Sequence, residues 1–215
     1  MTDVLAVGRP ALVRRGLWLN YLTLGYNAIE AVVSLAAGVV AGSVALVGFG
    51  VDSVIEVMAS AAAQWRLRAD LDPDRRVRVE LVTRRAIGVS LLTLALYVGI
   101  DSTLTLLARE APERSLVGCL ILGLSLVVMP LLARGKRKVA HALGSRALDA
   151  EATQTSVCAW LSAIALAGVG FNAAAGWWWA DPAAALAMTP LIIWEGLAAM
   201  RGEAACGECC DSSSR

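Results

Sequence analysis

Apolar residues run along this chain in six long blocks, and no basic residue interrupts any of them. The blocks cover roughly 16 to 41, 44 to 65, 86 to 108, 115 to 133, 147 to 174 and 177 to 200. A bilayer-spanning helix needs about 20 predominantly apolar residues, so each block meets or approaches the length of one crossing. The pattern predicts an all-α integral membrane protein of six transmembrane helices. An N-terminal segment (1–15) precedes the membrane domain (16–200), and a short tail (201–215) follows it. Between Ala147 and Met200 no basic residue marks a break, yet Gly176 is followed by Trp177, Trp178 and Trp179 and then by Asp181-Pro182. Three aromatic rings suit the membrane interface, and Asp as N-cap before Pro suits a helix start, so a turn is expected there with Asp181 in a structural role.

Composition agrees with the pattern. Hydrophobic residues make up 58% of the chain and charged ones 17%, with a mean hydropathy of +0.65, whereas soluble domains hold about 45 to 50% and about 25%. A net charge of +1 leaves no basic excess to attract nucleic acid. The placement of the basic residues is more informative than their number. Only Arg109 and Arg114 of the 19 Lys and Arg fall on one side of the predicted bundle; the rest flank the termini and the two loops on the same side as them. By the positive-inside rule both termini face the cytoplasm, and the plasma membrane is the expected location. The N-terminus lacks the small-residue cleavage site of a secretory signal.

Carboxylates within the apolar blocks are the exceptions that carry chemistry. One at the centre of a span costs about 2.5 to 3.5 kcal/mol on insertion scales, so each is a functional candidate. Asp52 and Glu56 stand at i and i+4 in the second block, which puts them on one helix face. Two such groups in low dielectric favour a shared proton or a bound cation. In the fifth block Glu151, Gln154 and Cys158 also share a face at 100° per residue. With a rise of about 1.5 Å per residue, Glu56 and Asp52 lie about 14 and 20 Å from the inner end, and Gln154 and Cys158 about 11 and 17 Å. Two antiparallel helices can therefore bring two carboxylates, an amide oxygen and a thiolate to one point, a donor set that suits zinc or a similar soft divalent ion.

The remaining polar residues are lesser candidates. Glu30, with Tyr26 and Asn27 on its face, is either an accessory residue on a cation or proton path or a hydrogen-bonded residue of the bundle. Glu151, near the start of its helix, is a further accessory candidate. Glu195 is expected at the inner interface and Asp101 near the outer end. Cys206, Cys209 and Cys210 crowd the tail, where three thiols cannot close a four-ligand site alone. No Ser-His pair or aspartyl motif supports an intramembrane enzyme, so none is expected.

On these residues the chain resembles the cation diffusion facilitator family of divalent metal transporters. GSVALVGFGVDSVIEV is similar to the family's second-span motif, with Asp52 and Glu56 on its two ligand positions; EATQTSVC is similar to the fifth-span motif, with Gln154 and Cys158 on the other two. GWWWADPAAALAMTPLIIWEG resembles the sixth span. The resemblance implies six spans with cytoplasmic termini and export of a divalent metal ion, zinc foremost, in exchange for protons. The metal ion is substrate here, and no cofactor is implied. Gln154 and Cys158 replace the family's usual His and Asp. About 15 residues follow Met200, too few for the cytoplasmic domain through which most members pair. A homodimer is then expected to form through the spans. A metal-binding sensor or partner subunit without transport is the alternative expectation.

Overall fold

A computed structural model describes residues 9–68, 73–143 and 146–201. They form six helices: α1 (Arg9–Ala41), α2 (Val44–Arg68), α3 (Pro73–Ala108), α4 (Leu116–Leu143), α5 (Arg146–Ala175) and α6 (Ala180–Arg201). Each overlaps one of the six apolar blocks. Five of them, α1 and α3 to α6, are long and apolar enough to cross a membrane. α2 packs among these, against α1, α3, α5 and α6. Leu17, Val39, Leu107, Leu120 and Trp160 project outward from the bundle, as a surface solvated by lipid requires.

Local sequence sets the three tight reversals at one end of the bundle. α1 stops because Gly42 adopts a left-handed conformation (φ 63°) and the Ser43 N–H returns to the Gly38 carbonyl at 3.0 Å, a Schellman closure. Ser43 then caps α2, its Oγ accepting from the Leu46 N–H at 3.1 Å. α3 ends in the same way with Arg109 at φ 55° and Glu110 N–H on the Thr105 carbonyl, and Gly176 at φ 69° closes α5. The 109–115 link is tied down from two sides: Glu113 N–H donates to the Ala41 carbonyl, and Asn172 Nδ2 to the Pro112 carbonyl. Phe171, Trp177 and Trp179 stack in sequence beside this end, with ring centroids 5.3 and 5.4 Å apart, as expected of an interfacial aromatic cluster.

Asp181 is structural, but it caps a different helix from the one expected. α6 begins at Ala180, where the Ala183 N–H already bonds the Trp179 carbonyl. The Asp181 carboxylate reaches across to α2 instead, accepting from the Ser43 hydroxyl at 2.5 Å and the Val44 N–H at 3.0 Å. It thus satisfies an orphan N–H at the start of α2 and adds a negative charge where the helix dipole favours one. The same contact sets the register of α2 beside α6, which run parallel. Close backbone packing sets that of α3 against α6, since a Cβ on Gly88 would stand 2.8 Å from the Gly196 carbonyl oxygen.

α4 is longer than its apolar block, and its extension to Leu143 carries Lys136. That residue, counted above with the basic flank, is buried, with its ammonium 3.5 Å from Asn20 Oδ1 of α1. The reason is helical phase: Lys136 lies four residues from Leu132 and three from Ala133, both on the packed face of α4.

Replacing Asp181 with alanine leaves the α2 start and the Ser43 hydroxyl without their acceptor. A stability loss of about 1 to 3 kcal/mol is expected, read as a lower midpoint of detergent-solubilised protein by tryptophan fluorescence, with Asp181→Asn intermediate.

Candidate metal centre

Asp52 and Glu56 project from one face of α2 because they are four residues apart, and that face is turned into the bundle by the apolar residues around it. Phe49, Ile55 and Leu46 are buried on the same helix, while Val54 is exposed. Cys158 faces them from α5, whose buried stripe continues through Leu161 and Ala165. A carboxylate oxygen of Asp52, one of Glu56 and the Cys158 Sγ all lie within 4.8 Å of one another. All three residues are at least 94% buried. The helices that position them are antiparallel, as the level counting required.

The fourth residue of the expected set is placed differently. Gln154 lies one turn inward from Cys158 on α5 and is only half-buried. The side chain of Glu151, like the tail cysteines, falls outside the described residues.

α1 supplies polar partners that the sequence reading underused. Asn20, Thr23, Asn27, Glu30 and Ser34 are all buried and recur at alternating steps of three and four. This is the spacing of a helix's packed face, filled here with polar groups instead of apolar ones. The signal was visible in the sequence, but no resemblance draws attention to it. Asn27 Nδ2 donates to Glu56 Oε2 at 2.7 Å. Glu30 is fully buried and accepts from the Ser53 hydroxyl at 3.3 Å and from the Ser125 hydroxyl of α4. The Tyr26 hydroxyl shares a 2.8 Å hydrogen bond with Ser125 Oγ. Glu30 is therefore the hydrogen-bonded centre of α1, α2 and α4, one turn from the residue that holds Glu56.

Glu195 sits closer to this centre than its position near the inner end of α6 suggested. Asp181 is level with Ser43 and Val44, and Glu195 follows it by fourteen residues. It therefore comes level with residue 58 of α2, about 3 Å to the inner side of Glu56 at 1.5 Å per residue. It flanks the buried Ile192 and Gly196. Tertiary register, which the sequence alone does not supply, brings it there. Asp101, on α3, is not part of the Asp52, Glu56 and Cys158 cluster.

The electrostatics of the centre are unbalanced. Among the described residues five buried side-chain oxygens have no hydrogen-bond partner, and three of them belong to Asp52 (Oδ1 and Oδ2) and Asn27 (Oδ1). Each such group costs about 1 to 3 kcal/mol, and a cation is the species that would satisfy several acceptors at once.

These features define a class: a polytopic helical membrane protein with a cluster of oxygen and sulfur donors buried between its helices. Residues 21–202 match the cation efflux transmembrane domain, so the chain belongs to the cation efflux family. It is a cation transporter, and a metal ion is its substrate. Comparison with curated proteins finds no match for the sequence.

At a pH where both acids are ionised, Asp52→Asn should raise the melting midpoint of the metal-free protein by relieving repulsion with Glu56. Thermal melts of the chelator-treated protein check this.

Proposed function

We propose that the protein exports a divalent transition metal ion, zinc or one of similar softness, by proton antiport through the centre formed by Asp52, Glu56 and Cys158. One observation carries this reading: both carboxylate oxygens of Asp52 are buried and unpartnered, and an oxygen of that carboxylate stands within 4.8 Å of a second carboxylate and a thiol. Two carboxylates and a thiolate bring three negative charges to one point, which a divalent ion neutralises far better than a monovalent one. The sulfur biases the choice toward zinc, cadmium or cobalt and away from magnesium or calcium, which take oxygen ligands.

In this reading α2 is the sixth span, and both termini lie in the cytoplasm, on the side where the basic residues cluster. The protein pairs as a homodimer through its helices and resides in the plasma membrane. Glu195 and Gln154, on the inner side of Glu56, meet the ion as it arrives from the cytoplasm. Proton coupling follows from ligand chemistry: carboxyl and thiol groups must lose their protons to bind metal and regain them when it leaves. A centre opened alternately to each side by movement of helices about it then exchanges metal for protons. Glu30, Ser125 and Tyr26 form a hydrogen-bonded chain one turn from Asn27 that can carry protons to the same place.

In proteoliposomes carrying an internal pH dye, zinc flux and the accompanying proton movement should both vanish in Asp52→Ala; undiminished flux in a folded variant would sink the assignment. Because protons compete with metal for the ligands, zinc affinity should rise with pH, by roughly tenfold per pH unit for each proton displaced. Isothermal titration in buffers of different ionisation enthalpy counts those protons, and an affinity independent of pH contradicts the exchange.

A further inference from the structure

We infer that the ion's fourth ligand is the side-chain oxygen of Asn27 on α1, in the place the sequence assigned to Gln154 on α5. The inference rests on the proposed metal centre and completes it. The Asn27 amide has one end fixed and one end free. Its Nδ2 donates to Glu56 Oε2 at 2.7 Å, which orients the group, since only the NH₂ end can face a carboxylate. Its Oδ1 is buried and has no hydrogen-bond partner, in a residue 3% exposed. Within an amide the oxygen and nitrogen are about 2.3 Å apart, so Oδ1 lies no more than about 5 Å from a Glu56 carboxylate oxygen. That range overlaps the spacing among the donors of Asp52, Glu56 and Cys158 themselves. The unpartnered Asp52 oxygens belong to the same centre.

Gln154 offers an oxygen of the same chemistry but a weaker position. It is half-buried, and among the described residues no hydrogen bond orients it. Its longer side chain has one more torsion to immobilise than that of Asn27. Asn27 is already held, so its carbonyl meets an ion with little further ordering. The centre then comprises three oxygens and one sulfur, drawn from three helices. A cation would add a link between α1 and the α2–α5 pair to the hydrogen bonds that already join α1 to α2.

Cobalt(II) bound to detergent-solubilised full-length protein tests this, because a thiolate ligand gives it an intense sulfur-to-cobalt absorption band. Wild type should show that band, and Cys158→Ser should lose it. Asn27→Ala should weaken cobalt binding by about tenfold or more while the band persists at saturation. Asn27→Asp, which keeps an oxygen at the same place but cannot donate to Glu56, should bind at least as tightly as wild type, and Gln154→Ala should change affinity little. Asn27→Asp also separates ligation from a merely positioning role: were the amide needed only to hold Glu56, this variant would bind as weakly as alanine, and the inference would fall. Unchanged affinity in Asn27→Ala, or a loss in Gln154→Ala matching the one expected there, would overturn it too while leaving the three-residue centre intact. Absence of the sulfur band in wild type would remove the centre itself and the fourth ligand with it. Should Asn27→Ala elute as aggregate in size exclusion, the isosteric Asn27→Asp decides alone.

Discussion

Two carboxylates four residues apart on a helix surrounded by lipid and apolar side chains are the constraint around which this bundle is arranged. Asp52 and Glu56 repel each other, and the bilayer interior offers no water to screen or solvate them. Their helix is accordingly withdrawn among its neighbours: it touches α1, α3, α5 and α6. Each of the adjoining helices that approaches the pair does so with a polar group, Asn27 and Glu30 from α1, Cys158 from α5 and Glu195 from α6. The polar stripe of α1 would be costly on any face that met lipid, and it is stable only because α2 and α4 cover it with Ser53 and Ser125.

The ends of the helices hold this arrangement in register. Asp181 ties the start of α2 to α6 through Ser43 and Val44, while Glu113 and Asn172 anchor the 109–115 link to α1 and α5. These bonds cluster at the end of the bundle opposite the basic flank, whereas the donors lie nearer its middle. With that end tied down and the interior unsatisfied, the acceptors of Asp52 and Asn27 are held where, in the proposed reading, little would have to be ordered when a cation arrives.

Much of this was legible before any coordinates. The six blocks, their reversals at Gly42, at 109–115 and at Gly176, and the facing of Asp52 and Glu56 toward Cys158 follow from hydropathy, turn chemistry and a helical period. Such properties depend on near neighbours in the chain, and the apolar medium makes them reliable, because a carboxylate in a span has few alternatives to facing inward. Membership of the cation efflux family, too, rests on sequence.

What remained for the tertiary structure concerns contacts between helices distant in sequence. Asp181 was expected to cap its own helix, and only the approach of α2 reveals the stronger claim on its carboxylate. Glu195 reads as interfacial when counted from the end of α6, yet pairing with α2 brings it level with the inner side of the centre. Asn27 carries no motif; its significance arises from one amide bonded at the nitrogen and bare at the oxygen. The physical reason is common to all three. Periodicity determines which residues share a face, but the partner that a face meets, and at what height, is decided by the packing of helices against one another.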